Sequence, residues 1–239
     1  MRYETELISG KIQSRYKRFF ADVLLDNGDL VTAHTPNTGS MKTCWEKDWP
    51  SMVSFHDNPK RKLKYGLELT HNGKTWINVN TGLTNKVAKE AAEKKLISEL
   101  SSFEFVKPEV KVGNSRIDLL LYNGESNDVK TATEKCYVEV KNVTLVDGDR
   151  ALFPDSVSTR GQKHLQELIE IKKSGTEAAM LFIISREDVS SFSPADEIDA
   201  EYGKLLREAE KAGVMILAYK CSVTPSEVIV KEKVPVILK

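Results

Sequence analysis

Asp118, Glu139 and Lys141 are the residues whose types and spacing point most directly to chemistry. Two apolar runs carry them, Ile117-Asp118-Leu119-Leu120-Leu121-Tyr122 and Cys136-Tyr137-Val138-Glu139-Val140-Lys141. Both read as strands. Side chains alternate faces along a strand, so Glu139 and Lys141 point one way while Val138 and Val140 point the other. A charge in a half-buried strand is costly unless it is paired or bound to a metal. A divalent-metal site acting on phosphodiesters would account for two carboxylates and a lysine on neighbouring strands. The plainer account of Asp118 and Lys141 is a cross-strand ion pair on an exposed sheet face, which is worth little.

Glu-x-Lys by itself is weak. It occurs at Glu93-Lys94-Lys95, Glu109-Val110-Lys111, Glu139-Val140-Lys141 and Glu170-Ile171-Lys172. The first and last fall on expected helices and read as solvated neighbours, and the second reads as an exposed edge. Only the third lies in an apolar strand that follows one bearing an aspartate. Pro154-Asp155 resembles a catalytic dipeptide, but it comes after the Glu-x-Lys strand and reads as loop.

The elements around these strands form an α/β pattern from residue 81 onward. Thr84 to Leu100 predicts a helix, with Leu83, Val87, Ala88 and Ala91 near one face. Pro108–Val112 and Arg116–Tyr122 predict strands joined by a tight turn at Gly113-Asn114, and a polar loop leads to a strand over Lys135–Val143. Thr159-Arg160-Gly161-Gln162 fits a capping box, with Thr159 as N-cap, and Gly175 is the expected stop of that helix. Ala178–Ser185 is nearly all apolar, as a central parallel strand should be. Asp196–Ala212 predicts a third helix stopped by Gly213, and strands at Val214–Val223 and Glu227–Val230 follow. Lys231 to Pro235 reads as an edge. A three-strand meander followed by crossover helices makes a mixed sheet covered on both faces.

Residues 1–80 differ. Short β runs at Glu6–Gln13, Phe19–Leu25, Leu30–His34, Met52–His56, Lys64–Thr70 and Thr75–Val79 alternate with turn signals, of which Asn72-Gly73 is a strong hairpin signal. A small closed barrel of the OB type is expected. Arg15-Tyr16-Lys17-Arg18-Phe19-Phe20 could hold nucleic acid, with cations on phosphates and aromatics on bases. It could equally be a solvated turn ahead of a strand that buries Phe19 or Phe20. Lys60-Arg61-Lys62 with Lys64 reads as an exposed turn. His34 to Met41 lacks the spacing of a phosphate loop.

Of the 239 residues, 40% are hydrophobic and 29% charged, which suits a globular chain with a real core. The longest apolar run, Ala178 to Ile184, is too short to span a membrane, and no apolar signal core follows Met1. Cys44, Cys136 and Cys221 form no disulfide framework and no metal spacing, so a cytoplasmic setting is expected. The net charge is zero, so binding to nucleic acid has to come from local basic patches.

A helix carrying glutamate, a strand with aspartate, a strand with Glu-x-Lys and a helix opening with glutamine are the parts of one nuclease core. Asp118-Leu-Leu-Leu, Tyr137-Val-Glu-Val-Lys-Asn-Val-Thr-Leu-Val and Phe153-Pro-Asp-Ser-Val-Ser-Thr-Arg-Gly-Gln-Lys-His-Leu-Gln-Glu-Leu168 closely resemble the sugar fermentation stimulation protein A family. His34-Thr-Pro-Asn-Thr-Gly-Ser-Met41 resembles that family's N-terminal signature. The resemblance covers essentially the whole chain. It implies an OB-like barrel over residues 1–80 and a PD-(D/E)xK nuclease-type domain over residues 81–239, with DNA as partner and a link to regulation of sugar-use genes. By the same resemblance Glu90 is the first-helix acid, Asp118 the metal-binding aspartate and Glu139 with Lys141 the Glu-x-Lys pair. Arg116-Ile117 stand where the motif's proline would be. Gln162 and His164 open the next helix towards the site. Mg²⁺ or Mn²⁺ would then sit on Asp118, Glu139 and the Val140 carbonyl, with Arg160 and Lys163 near phosphate. Two functions follow: a metal-dependent nuclease, or a non-catalytic DNA-binding regulator that keeps the fold.

Overall fold

The computed structural model describes residues 1–112 and 115–239, so the turn expected at Gly113-Asn114 lies outside the described residues. The N-terminal strands are β1 (Ile8–Tyr16), β2 (Phe20–Leu25), β3 (Leu30–His34), β4 (Pro50–Phe55), β5 (Tyr65–His71) and β6 (Trp76–Asn78). They pair in the order β3-β2-β1-β4-β5-β6, and a parallel contact of β3 with β5 closes the first five into a barrel. This is the OB connectivity expected from the sequence. Ile12, Val23, Val53, Leu67 and Ile77 alternate inward and fill it. The Asn72-Gly73 hairpin forms, with Gly73 at φ 87° and His71 opposite Trp76. Met1 and Arg2 lie elsewhere, against Val228 and Glu227 near the C-terminus.

The remaining strands are β7 (Phe105–Val112), β8 (Ser115–Gly124), β9 (Ala132–Val143), β10 (Leu145–Asp147), β11 (Arg150–Phe153), β12 (Glu177–Ile184), β13 (Ser191–Pro194), β14 (Met215–Val223) and β15 (Val228–Lys233). The helices are α1 (Thr84–Glu93), α2 (Thr159–Lys173) and α3 (Ala200–Lys211). The main sheet runs β15-β14-β12-β9-β8-β7. As expected, β7, β8 and β9 form an antiparallel meander, and β12 is central and parallel to both β9 and β14. On one face α1 buries Val87, Ala88 and Ala91 against Leu119, Val138, Val140 and Leu181, and Leu7 and Leu69 join the same cluster. On the other face α2 and α3 bury Leu165, Leu168, Tyr202 and Leu206 against Met180, Phe182 and Ala218.

Four local expectations are corrected. The first helix ends at Glu93 instead of Leu100, because Lys95 takes φ 59° and a Schellman closure forms: Leu96 N donates to Ala91 O (2.9 Å) and Lys95 N to Ala92 O (3.1 Å). Ser158, not Thr159, caps α2, its Oγ accepting from Gly161 N at 3.1 Å. Asp199 caps α3, so that helix starts four residues after Asp196, and Asp196 pairs with Arg207 instead. A small sheet, β10-β11-β13, forms where loop was expected.

Candidate metal and nucleic-acid site

The pairing of β8 with β9 runs from Gly124 opposite Ala132 up to Leu119 opposite Val138 and stops there. Beyond that point β9 continues beside β12, with Glu139 opposite Met180 and Lys141 opposite Phe182. Asp118 stands at the fork. Its carboxylate takes the backbone hydrogen bond that the missing ladder would have used, accepting from Val140 N at 2.8 Å. Asn85, in the first turn of α1, donates to its other oxygen at 2.7 Å. The strands therefore splay because a side chain has replaced a backbone partner.

Glu139 is 2% exposed and lies under α2. Its Oε1 accepts from Lys141 Nζ at 2.6 Å and from His164 Nδ1. Its Oε2 is buried and has no partner. Arg160 Nε lies 3.5 Å from His164 Nε2. An imidazole protonated at Nδ1 meets both contacts, giving to Glu139 and receiving from Arg160. Lys141 Nζ also sits 3.2 Å from His164 Nδ1, a close approach between two donors that Glu139 holds together.

Burial acts on both carboxylates, with opposite net results. For Asp118 it pushes the pKa up, and the nearby Glu139 charge adds to that, against the Val140 and Asn85 hydrogen bonds. For Glu139 burial also pushes up, but the hydrogen bond from His164 and the Lys141 charge outweigh it and hold the pKa below the ordinary value. At neutral pH the fork thus has a carboxylate tied to two cation-capable partners and a second that favours a counter-charge. Tyr202 on α3 is fully buried, its hydroxyl has no partner, and burial with the Glu139 charge raises its pKa well above the ordinary value.

The other expected residues divide. Glu90 is not at the fork: it pairs with the Met1 ammonium at 3.0 Å and with Lys94. A residue five positions after Asn85 on a helix faces well away from it, and Asn85 is the α1 side chain that reaches Asp118. Gln162 turns to α3 and donates to Asp199 Oδ1 at 2.8 Å; it does not reach back to cap its own helix. Lys163 is exposed beside Glu167 (3.5 Å), and Arg160 is exposed next to His164. Arg15 is spent inside the protein, donating to the carbonyls of Arg18, Asn37 and Gly39. Tyr16 bonds Asp22, while Lys17 and Arg18 are exposed in the β1–β2 turn. Asp155 is loop, as expected, and accepts from Ser40 N at 2.8 Å. Asn85 and Asp199 were missed because nothing in a single asparagine or aspartate announces which helix end it serves.

Among the described residues no group of three or more His, Cys, Asp or Glu side chains is arranged to hold a metal ion, so a cation here would rest on two carboxylates, other oxygens and water. No helix is long and apolar enough to cross a membrane.

Comparison with known proteins places the whole chain. The family profile for the sugar fermentation stimulation protein RE domain matches residues 82–227, and that for the SfsA N-terminal OB domain matches residues 14–79. A sugar fermentation stimulation protein homolog of Geobacter sulfurreducens is 48% identical over 232 residues, covering 97% of this chain and 96% of the relative. One from Geotalea uraniireducens is 47% identical over 237 residues, 99% of each chain. The structure of Pyrococcus furiosus SfsA in complex with Ca²⁺ superposes with a TM-score of 0.85 at 28% identity, covering 99% of this chain and 98% of that one. With two family profiles spanning both parts of the fold and relatives matching end to end, the chain belongs to the sugar fermentation stimulation protein family.

Proposed function

We propose that the protein binds nucleic acid, DNA first among the candidates, through residues 1–80 and hydrolyses phosphodiester bonds with a metal-dependent site in residues 81–239. The observation that carries this reading is the fork itself: Glu139 Oε2 is buried without a partner, and its charge acts on Asp118, whose carboxylate binds the next residue, Val140. A buried carboxylate oxygen left open is expensive in a purely structural ion pair and suits a hard cation, which takes oxygen ligands and keeps waters. Asp118 and Glu139 would hold Mg²⁺ or Mn²⁺, and the Ca²⁺ complex of the Pyrococcus relative favours a divalent ion of this class. Such an ion, when bound, supplies Lewis acidity and a more acidic water.

The chain's own groups do the rest. Val140 N–H and Asn85 hold Asp118 in the fork, and His164 locks Glu139 so that Oε2 stays open. Lys141, 14% exposed and anchored on Glu139, presents its ammonium where charge gathers on a phosphate under attack. Arg160 in the first turn of α2 lies where a phosphate is favoured, with Lys163 about one turn further on. On the barrel, the β1–β2 turn and the β4–β5 connection hold Lys17, Arg18, Lys60, Arg61 and Lys62, with Phe19 44% and Phe55 39% exposed beside them. These are the two connections that OB barrels use on nucleic acid. Three buried free cysteines suit the reducing cytoplasm.

The alternative is a regulator that binds without cutting. It draws on the Lys141–Glu139 ion pair and the His164–Glu139 contact, by which the protein's own groups balance the Glu139 charge. A cleavage assay on single- and double-stranded DNA and RNA with Mg²⁺ or Mn²⁺ separates the two. Cutting that disappears in both Glu139→Gln and Lys141→Ala supports the enzyme. No cutting by the parent protein, or cutting that survives Glu139→Gln, removes it.

A further inference from the structure

A cavity of about 330 Å³ lies between the barrel and the main sheet. Arg18 and residues 36–39 form its barrel wall, and Thr81 and Asn142 line the opposite side. Asn142 follows Lys141 on β9, and its side chain meets Thr84, the neighbour of Asn85. The cavity therefore lies at the end of β9, just past Lys141.

The loop that makes the wall is held in place from three directions. Arg15 donates to Asn37 O (3.0 Å) and Gly39 O (2.9 Å), Thr81 Oγ1 donates to Pro36 O (3.2 Å), and Asp155 accepts from Ser40 N (2.8 Å) and Oγ (3.3 Å). A Cβ on Gly39 would come within 2.2 Å of an Asp155 oxygen, so only glycine allows this approach. The β1–β2 turn is unusual as well. Lys17 and Arg18 take φ 50° and 64°, a left-handed pair that such turns normally give to Asn and Gly. Backbone strain of this kind concentrates where a side chain must be presented. The side chain presented is Arg18, which has no hydrogen-bond or ion-pair partner among the described residues and lines the cavity.

We propose that this cavity is a subsite for one unpaired nucleotide next to the scissile phosphate, with Arg18 on that nucleotide's phosphate and Thr38 against its sugar or base. This rests on the nucleic-acid reading above and adds the strand form: the substrate is single-stranded where it is cut. A space of this volume holds one small ligand, and a base has to leave the duplex stack to enter such a pocket. The barrel is then a contributor to the cleavage site as well as a tether.

The test reads binding alone. Full-length protein in EDTA is titrated against a fluorescein-labelled 12-nucleotide single strand and the matching duplex, followed by anisotropy. The single strand should bind at least tenfold more tightly than the duplex. Arg18→Ala should weaken single-strand binding about tenfold and lower its salt slope by about one charge. Thr38→Phe, which fills the cavity and keeps every charge, should weaken it similarly. Duplex binding as tight as single-strand binding overturns the proposal, and so does Thr38→Phe binding the single strand like the parent. Arg18 is exposed, so its variant decides the matter even where Thr38→Phe does not fold. Because no metal is present, a protein that never cuts still gives an answer here, and a failure here leaves the Asp118–Glu139 pair untouched.

Discussion

His164 and Glu139 meet across the packing of α2 on β9, and the imidazole Nδ1 occupies Oε1 of the carboxylate while Oε2 stays open. His164 is thereby a positioning residue: it decides which oxygen is available. His164→Ala should lower the affinity for Ca²⁺ by about 10- to 100-fold, the usual result of removing a partner that orients a ligand. It should also cost about 1–3 kcal/mol of stability, since a buried acceptor loses a donor. Calorimetric titration and denaturant melts measure the two, and unchanged Ca²⁺ affinity would remove His164 from the site.

Lys141 has a different signature. Its ammonium sits 2.6 Å from Glu139 and close to His164, and its side chain is 14% exposed. Lys141→Ala should reduce kcat about 100- to 1000-fold, the scale of losing a charge aimed at the transition state. Ca²⁺ binding should persist, because the carboxylates remain. Lys141→Arg should not restore the rate, since a planar guanidinium cannot take the place of a compact ammonium in that space. Loss of metal affinity in step with rate would instead make Lys141 a structural partner of Glu139.

Asn85, and not Glu90, is the α1 side chain that reaches Asp118. Asn85→Ala removes one of Asp118's donors and should raise the Asp118 pKa further, with a fall in kcat/KM of about 3- to 10-fold. Glu90→Ala should leave cleavage as it is. Its partners are the Met1 ammonium and Lys94, and it is 31% exposed, so the stability cost should stay under about 1 kcal/mol. Carboxyl NMR on Asp118 and steady-state kinetics on both variants check this, and a large rate loss in Glu90→Ala would reinstate it.

That contrast shows what the sequence could and could not carry. The barrel strands and the β9–β12–β14 order follow from alternation, turn residues and one long apolar run, all local signals. Asp118, Glu139 and Lys141 stood out because charge is conspicuous in an apolar strand. Asn85 did not, because its role depends on where α1 crosses the fork. Gln162 misled for a related reason: its position suggested capping, yet the true cap is one residue earlier and its amide serves Asp199 on another helix. Glu90 came only from family resemblance, and the helix turned it away. The clamp of Asp155 on Ser40 spans more than a hundred residues and leaves no pattern in either segment.

Glu99 gives the clearest dependence on pH. Burial alone would raise its pKa, but hydrogen bonds from Lys233 and Tyr219 bring it down to about 2, against 4.5 ordinarily. A carboxyl whose folded pKa is depressed binds its proton more weakly folded than unfolded. Its contribution is complete above about pH 4.5 and is lost as pH falls towards 2. Allowing for solvent screening, Glu99→Gln should cost about 1–2 kcal/mol at pH 7 and almost nothing at pH 2. Urea melts of both proteins across that range should converge on the acid side; a constant gap would assign the cost to packing.

Arg186 joins the two halves and should be the most damaging single truncation outside the fork. It is 2% exposed, yet all its contacts are made: Nε and Nη2 to Asp188 at 2.6 and 2.7 Å, and Nη1 to the carbonyls of Thr43 and Thr144 at 3.0 Å each. Thr43 lies between β3 and β4 of the barrel, and Thr144 between β9 and β10. Asp188 in turn accepts from Asn72 in the β5–β6 hairpin at 2.8 Å. Arg186→Ala leaves Asp188 without its cation and takes a donor from the carbonyls of Thr43 and Thr144, and should cost about 3–5 kcal/mol. Arg186→Lys should recover only part, because one ammonium cannot serve Asp188 on two sites and both carbonyls together. Since Arg186 fixes Thr43, three residues past Ser40 of the loop that Asp155 clamps, Arg186→Ala should also weaken single-strand binding, and Asp155→Ala should do so with a smaller loss of stability. Melting curves and anisotropy on the two variants separate the effects: a loss of binding that tracks stability in both makes the junction a brace alone, whereas a larger binding loss in Asp155→Ala ties the loop's position to recognition.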